Sequence, residues 1–473
     1  MKVFRPMLFT TMKNYSKEQF IKDVISGIIV AIIALPLSIA LALASGVGPE
    51  QGLYTAIIAG FLISFFGGST VQIAGPTAAF ATIVAGIVAT SGMSGLIVAT
   101  VMAGIFLILM GIFHFGSLIK FIPYTITTGF TAGIAVTILI GQLKDFGGIT
   151  YQHGEKPVET VEKFHAFISN IDTINWMAVL VGVICLAILI IWPYINKKIP
   201  GSLIAVVAGI LMVKGLDLKV NTIGDLYTIS NKLPSFALPD LSFGLIKSQL
   251  SNALVIAVLA AIESLLSCVV ADGMVNSKHR SNTELIAQGI GNMGSALFGG
   301  IPATGAIART AANIKSGGRT PVAGMVHALT LVLILVVLMP YAAWIPMPTI
   351  AAILFQVAYN MCQWRPFVKL CKTAPKSDIF VLVATFVLTI AFDLVVAIEF
   401  GMVMACLLFM KRMSDETDVY GWHYKEEEDL DVDKNELADV PKHVRVYEIS
   451  GPLFFGAAEV LTEIEFKDFT KCL

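Results

Sequence analysis

Long apolar runs separated by short polar segments dominate the chain between residues 24 and 410. The first half contains apolar runs at 24–46, 50–66, 77–92, 94–113, 118–142, 174–194 and 199–214. The second half contains apolar runs at 250–272, 284–298, 304–314, 320–340, 344–361, 377–392 and 395–410. Because runs of about 20 apolar residues are typical of membrane-spanning helices, this pattern predicts an all-α polytopic membrane protein with fourteen segments.

Two of these segments are interrupted at corresponding places. The tripeptide Phe-Gly-Gly at 66–68 precedes a break at 75–77, and the same tripeptide at 298–300 precedes a break at 302–305. The second break leads into an apolar helix over about 304–314, which is too short to span a bilayer. A half-helix at membrane depth directs its partly positive amide end into the protein, which favours an anion. We therefore predict a binding site between inverted repeats; two ordinary glycine-rich spanning helices are the alternative.

Composition and charge agree with a membrane transporter. The chain is 56% hydrophobic and only 14% charged, whereas soluble domains carry about 25% charged residues. Lysine and arginine recur in the N-terminal segment and in alternate loops, which predicts a multi-pass protein of the cell (inner) membrane with both termini cytoplasmic. The net charge of −1 argues against a nucleic-acid partner. We find no Walker loop, no nucleophile–base pair and no metal-ligand cluster, so we predict neither an enzyme nor a cofactor.

The sequence divides into four predicted parts. These are a cytoplasmic N-terminal segment (1–23), a transmembrane domain with repeats at about 24–214 and 250–412 (24–412), an acidic linker (413–439) and a small C-terminal module (440–473). In the last part, alternation over 443–450 predicts a strand, and 457–464 reads as a helix. Some 35 residues cannot bury a core alone, so the module is either incomplete or packed against something else.

Four residues are candidates for chemistry. Glu263 is a carboxylate inside an apolar run, where burial of a charge costs at least about 3 kcal/mol; a functional role is favoured over an ion pair or a silent protonated carboxyl. Ser267 lies one turn later on the same face, as a ligand or as a hydroxyl bonded to its own helix. Arg309 in the short helix could pair with Glu263, add positive potential to the site or snorkel to the surface, and the second role is favoured. Thr77 could bind substrate or cap its half-helix.

Three runs of the sequence resemble the SulP family of sulfate permeases and anion exchangers. They are ALPLSIALALASGVGPEQGLY (34–54), AAIESLLSCVVADGM (260–274) and GGIPATGAIARTAANIKSGGRTPVAG (299–324). The tail at 440–464 resembles the opening of that family's cytosolic α/β STAS domain. The resemblance implies fourteen spans in two inverted seven-segment repeats, half-helices in segments 3 and 10, core and gate subdomains, and a homodimer.

The resemblance also implies the site residues. It places the substrate between the starts of segments 3 and 10 and the coupling ion in segment 8. The implied substrate-binding residues are Thr77, Ala303, Thr304, Gly305, Ala306 and Arg309, and the implied coupling-ion residues are Glu263 and Ser267. Segment 1 departs from many animal members, because Leu37 and Leu41 stand where those have glutamine and an aromatic residue. The wall contributed by segment 1 should therefore be aliphatic.

The predicted function is secondary active transport of a small inorganic or organic anion, with sulfate as first choice, by proton-coupled symport or anion exchange through an elevator mechanism. The partners expected are the anion, a proton or sodium ion, the lipid bilayer and a second copy of the chain. The alternatives are a bicarbonate or C4-dicarboxylate transporter coupled to sodium or protons, and a passive anion channel on the same scaffold. A nucleobase carrier would place carboxylates in both segments 8 and 10, whereas segment 10 here offers Arg309.

Overall fold

The computed structural model describes residues 4–117, 124–151, 157, 159–196, 199–238, 242–392, 400–401, 403–404, 406–408, 410, 418–422 and 446–450. Helices of the first half are α1 (Leu8–Thr11), α2 (Lys17–Ala44), α3 (Pro49–Phe66), α4 (Ala81–Ile112), α5 (Tyr124–Gly147), α6 (Thr160–Ser169), α7 (Trp176–Ile195) and α8 (Gly201–Gly215). Those of the second half are α9 (Ile223–Leu226), α10 (Phe243–Val275), α11 (Ser281–Leu297), α12 (Ile307–Lys315), α13 (Val322–Ala342), α14 (Met347–Cys362), α15 (Trp364–Thr373) and α16 (Lys376–Ala391).

The described helices confirm a helical membrane domain. Those long and apolar enough to cross a membrane are Lys17–Ala44, Ala78–Ile112, Tyr124–Gly147, Trp176–Ile195, Phe243–Val275 and Val322–Ala342. The α4 helix joins two of the predicted segments, because its backbone leaves the helical region at Gly92 (φ 63°, ψ −168°), a conformation that glycine adopts without a steric penalty. The start of the predicted fourteenth segment (395–399) lies outside the described residues, and the count of fourteen stays a prediction.

Both predicted breaks adopt extended backbone. Strand β1 (Ala74–Gly75) pairs antiparallel with strand β2 (Thr304–Gly305), so that Ala74 lies opposite Gly305 and Gly75 opposite Thr304. Each strand leads into a helix, β1 into a 3-10 turn at Ala78–Phe80 that continues as α4 and β2 into α12. Backbone polar groups at membrane depth need partners inside the protein, and the pairing provides partners for both breaks at once.

The Phe-Gly-Gly turns that precede the breaks are each held by the opposite half of the chain. Glu284 of α11 accepts the Gly68 amide at 2.8 Å, and Thr55 of α3 accepts the Ile301 amide, next to Gly300, at 2.7 Å. Both glycines leave room for a close approach. A side chain at Gly68 would overlap with the Arg280 carbonyl group, and one at Gly300 would overlap with the Ser295 hydroxyl.

The helices form two packed groups, and both broken segments belong to the first. One group consists of α2, α3, α4, α10, α11, α12 and α13, and the other of α5, α7, α8, α14 and α16. Smaller contacts of α2 with α14 and α8, and of α4 with α5, connect the groups. This division has the form of a core that carries both half-helices and a second body that faces them.

The first spanning helix begins earlier than the sequence predicts. We expected it to start at residue 24, whereas α2 begins at Lys17 because Ser16 caps it by accepting the Gln19 amide at 3.1 Å. Asp23, which is 0% exposed, accepts the Thr320 hydroxyl at 2.5 Å and the Arg319 amide at 2.9 Å. The start of α2 is therefore fixed to the loop between α12 and α13.

Two strands lie beyond the helices. Strand β3 (Asp418–Trp422) pairs antiparallel with β4 (Val446–Ser450). The strand predicted at 443–450 is present, but β3 lies within the segment predicted as an acidic linker, because Val, Tyr and Trp in that stretch favour extended backbone. The predicted helix at 457–464 and the rest of the module lie outside the described residues.

We expect Gly68→Ala to lower the apparent melting temperature of the detergent-solubilised protein, since the added methyl group must displace the backbone at Arg280. Overpacking of this kind costs on the order of 1–3 kcal/mol. Gly273→Ala is the matched control, because a side chain at Gly273 in α10 meets nothing within 4 Å. Equal melting temperatures for the two variants would contradict the close approach.

Candidate functional site

A cavity of about 390 Å³ lies where the two broken segments meet the second helix group. Its walls come from α2, the residues after β1, α5, α10, the start of α12 and the end of α14. The lining is mainly apolar, and Leu37 and Leu41 form the aliphatic wall expected from α2. Its polar side chains include Thr77, Glu263 and Arg309, three of the residues that the family resemblance implies for the site.

Glu263 connects the two breaks. Its Oε2 atom accepts the Thr77 hydroxyl at 3.2 Å and the Thr304 hydroxyl at 3.2 Å. Thr77 follows β1 and Thr304 lies in β2, so one carboxylate oxygen holds a hydroxyl from each half of the chain. The Thr77 side chain makes no capping bond to the turn that follows it, which leaves its hydroxyl on the carboxylate.

The serine that touches the break is Ser264 and not Ser267. Ser264 accepts the Gly305 amide at 3.1 Å, whereas Ser267 is 0% exposed and its hydroxyl oxygen has no hydrogen-bond partner among the described residues. Ser267 is also absent from the cavity lining. A coupling-ion role for Ser267 therefore has no support from its position.

Most of the backbone amides implied as substrate ligands already have acceptors. The Ala303 amide donates to Asn292 Oδ1 at 2.8 Å, the Gly305 amide donates to Ser264, and the Ala306 amide donates to the Ile73 carbonyl oxygen at 2.9 Å. Ala303 lies outside the cavity lining, as does Thr304, which is 0% exposed. Gly305 and Ala306 line the cavity with their amides turned to other partners.

The amides that remain lie in the first turn of each half-helix. The Ile307, Ala308 and Arg309 amides precede the first hydrogen bond of α12, in which Thr310 donates to Ala306, and all three residues line the cavity. The first amides of a helix have no partner within it, and these have none elsewhere in the described part of the chain. The free amides are therefore those of residues 307–309 and not those of Gly305 and Ala306. The sequence did not indicate this difference, because it depends on how the two breaks pair with each other.

The other half-helix presents the same arrangement. Ala78 and Ala79 begin the turn after Thr77, and the first bond within that turn is donated by Phe80 to the Thr77 carbonyl oxygen at 3.3 Å. Both alanines line the cavity. Two helix N-termini thus face one cavity, and each contributes roughly half a positive charge.

Arg309 is buried, with 1% of its surface exposed. Its Nη2 atom donates to the Pro76 carbonyl oxygen at 3.2 Å and to Ser38 Oγ at 3.3 Å, whereas Nε and Nη1 have no acceptor among the described residues. The guanidinium lies against Gly75, where any side chain would overlap with it. The burial places Arg309 in the interior and not at a surface, and no ion pair joins it to Glu263 in the described structure.

Gln72 packs against the second break and is itself hydrogen-bonded to Cys268, and the sequence did not indicate either contact. The Cys268 thiol donates to the Gln72 side-chain oxygen, and the Gln72 amide group packs so closely on Gly305 that a side chain there would overlap with it. Neither residue carries a motif that could have revealed the contact. The described residues contain no group of three or more His, Cys, Asp or Glu side chains that could hold a metal.

Comparison with known proteins agrees with this architecture. The profile described as the sulfate permease family matches residues 20–385. The Bacillus subtilis (strain 168) protein named "Putative sulfate transporter YvdB" is 42% identical over 455 residues, which cover 95% of this chain and 83% of that protein. The bicarbonate transporter BicA of Picosynechococcus sp. is 31% identical over 456 residues, with 93% of this chain and 79% of the relative covered.

Solved structures give the same result. The transmembrane domain of a cyanobacterium bicarbonate transporter BicA has a TM-score of 0.73 at 31% identity and covers 81% of this chain and 98% of its own. The murine anion transporter Slc26a9, in an inward-facing state, has a TM-score of 0.85 and covers 97% of this chain and 79% of its own. Its 18% identity limits that comparison to the fold.

We expect Gly305→Ala to lower the apparent melting temperature, because the methyl group would displace the Gln72 side chain at a cost on the order of 1–3 kcal/mol. Gln72→Ala in the same chain should recover part of the loss, since it removes the overlapping atoms. Thermal unfolding in detergent of both single variants and the double variant measures this. Strictly additive losses would contradict a direct contact between the two residues.

Proposed function

The chain belongs to the sulfate permease family, and from this premise we propose that it is a secondary active transporter whose anion binds between the two half-helices. The observation that carries the proposal is the convergence of two helix N-termini and the buried Arg309 on one cavity of about 390 Å³. Unpartnered amides and unpartnered guanidinium N–H groups are donors, and an anion supplies the acceptors that they lack.

The charges around the cavity set the range of substrates. Two helix ends contribute roughly one positive charge together, Arg309 adds another, and an ionised Glu263 subtracts one. A monovalent anion therefore balances the site when Glu263 is ionised, and a divalent anion balances it when Glu263 is neutral. Sulfate is the first candidate substrate, because the relative YvdB is named a putative sulfate transporter. Bicarbonate is the second, because the relative BicA is named a bicarbonate transporter.

Glu263 is the proposed coupling site for a proton. It is the acidic side chain in the cavity lining, and its contacts are hydroxyl groups from both breaks. A proton taken up with a divalent anion would reduce the net charge that crosses the bilayer, and a charge at membrane depth costs at least about 3 kcal/mol. Substrate and proton would then travel together.

A specific observation also supports sodium as the coupling ion. The Thr77 and Thr304 oxygens each lie 3.2 Å from the same Glu263 oxygen. A carboxylate oxygen with two hydroxyl oxygens beside it offers the type of ligand that a hard cation prefers. Sodium-driven bicarbonate transport is therefore the second candidate function, and separate ion gradients distinguish it from proton coupling.

An elevator mechanism is the proposed motion. Both half-helices, Glu263 and Arg309 belong to the helix group formed by α2, α3, α4 and α10–α13. The opposing group contributes apolar residues such as Ile126 and Phe130 of α5 to the cavity, together with uncharged polar residues such as Thr127 and Asn360. The hydrogen bonds of Glu263 and Arg309 are made within this group, so the group can move past the uncharged opposing surface without losing them.

We expect proteoliposomes with the wild-type protein to accumulate labelled sulfate when an inward proton gradient is imposed. Bicarbonate and fumarate, each tested with separate proton and sodium gradients, complete the substrate panel. Accumulation driven only by sodium would replace the first candidate with the second. Passive flux that neither saturates nor shows counterflow would indicate a channel.

Glu263→Gln should abolish accumulation driven by a proton gradient and retain exchange of anions, because the amide keeps the shape of the carboxyl group and cannot change its charge. Parallel assays of gradient-driven uptake and of exchange on the same vesicles measure this. Glu263→Asp is the matched control, since it preserves the titratable group. A Gln variant that still accumulates substrate on a pH gradient would exclude Glu263 as the proton site.

Arg309→Gln should weaken sulfate binding more than bicarbonate binding, because the lost potential acts on each charge of the substrate. A loss of about tenfold for a monovalent anion corresponds to about 100-fold for a divalent one. Calorimetric titration of the purified variant measures both values, and Arg309→Lys, which keeps the charge, is the control. Equal losses for the two anions would indicate that Arg309 acts through packing.

A further inference from the structure

A second cavity, of about 250 Å³, lies farther along the same cleft. It shares α5 and α10 with the central cavity and continues along α4, whose preceding turn lines the central cavity, and α6 and α16 complete it. Thr82 in its wall follows Ala79, which lines the central cavity, by three residues. The short helix α6 packs against α5 and α16 and covers the end of the cleft that the distribution of lysine and arginine predicts to be external.

The cation in this cavity is Lys163 of α6, which is half-buried. The structure shows no ion pair for Lys163 with any residue that it describes. Burial lowers the pKa of its ammonium group, and the charge of Glu162 opposes that change. A partly buried ammonium group without an ion-pair partner among the described residues is stabilised by an anion.

The neighbouring carboxylates are held at the start of α6. The Glu159 side chain caps the helix by accepting a hydrogen bond from the Glu162 backbone amide. The Glu162 side chain in turn accepts a hydrogen bond from the Glu159 backbone amide at 3.3 Å. Glu159 also lines the cavity, so its negative charge limits the affinity of an anion there. A site that binds weakly suits passage, since an anion must also leave it.

A hydroxyl donor on α4 lines the same cavity as Lys163. The Thr82 oxygen of α4 is buried without a hydrogen-bond partner among the described residues. In contrast, Thr137 and Thr389 donate their hydroxyls to carbonyl oxygens of their own helices, at 3.1 Å and 2.7 Å. Lys163 and Thr82 are therefore available donors in the same cavity.

We propose that this cavity is a second, weaker anion site, in which Lys163 and Thr82 hold the transported anion between the bulk solution and the central cavity. The proposal rests on the proposed transport function and adds a step to it. The ligand is a small oxyanion of the kind that the central site takes, such as sulfate or bicarbonate, with part of its hydration water retained. The helix α6 carries the charge that draws the anion into the cleft.

The experiment compares Lys163→Gln with the wild type for labelled sulfate and bicarbonate uptake into proteoliposomes. The KM should rise about tenfold, the low end of the effect of electrostatic steering, while kcat stays unchanged. The wild-type KM should rise with ionic strength, and that dependence should be weaker in the variant. Lys163→Arg should restore the wild-type KM, and Lys247→Gln, which removes an exposed charge from the start of α10, should leave it unchanged.

Sulfate binding in detergent separates the two sites. Arg309→Gln should retain a weak binding event that the double variant with Lys163→Gln lacks. A KM for Lys163→Gln within about twofold of the wild type, or equal binding by the single and double variants, would overturn the second site. Weak binding that depends on Lys163 in a protein that transports neither anion would support the second site and overturn the proposed function.

Discussion

The structure depends on the need to satisfy backbone polar groups where two chain segments stop in the middle of a membrane. Extended backbone in lipid would leave amide and carbonyl groups without partners, at a cost of several kcal/mol for each group. The β1–β2 pair, with Ala74 opposite Gly305, meets this need for both segments together. Because each break completes the other, neither half-helix can be placed without its counterpart.

The same reciprocity holds around the pair. Glu284 from the second half holds the first Phe-Gly-Gly turn, and Thr55 from the first half supports the second. Asn313 of α12 donates to the Val71 carbonyl oxygen at 2.8 Å, while Ser26 of α2 donates to Asn313. These bonds cross between the two halves of the chain at buried positions, where an unmade bond is expensive. The two halves therefore support the site together, which fixes the direction of both helix ends.

Local chemistry explains which features the sequence could predict. Glycine and proline mark the breaks, the short length of the tenth segment marks a half-helix, and Glu263 and Arg309 stand out as charges among apolar residues. The contacts between distant segments could not be predicted. The amide donors lie at 307–309 and not at Gly305, because Ser264 and the Ile73 carbonyl oxygen occupy the earlier amides. The residue spacing along one helix indicates which side chains share a face. The segment packed against that face determines which of their hydroxyl groups makes a hydrogen bond.

The bonds at Glu263 relate the charge of one side chain to the geometry of the whole site. A carboxylate accepts hydroxyl bonds about twice as strongly as a neutral group does, so an ionised Glu263 holds Thr77 and Thr304 more firmly than a protonated one. Thr77 stands immediately before the free amides of one half-helix, and Thr304 stands three residues before those of the other. Under the proposed function, binding of a coupling ion at Glu263 therefore alters both the potential in the cavity and the hold on each helix end. Coupling then follows from the shared position of the two sites and needs no separate transmitting element.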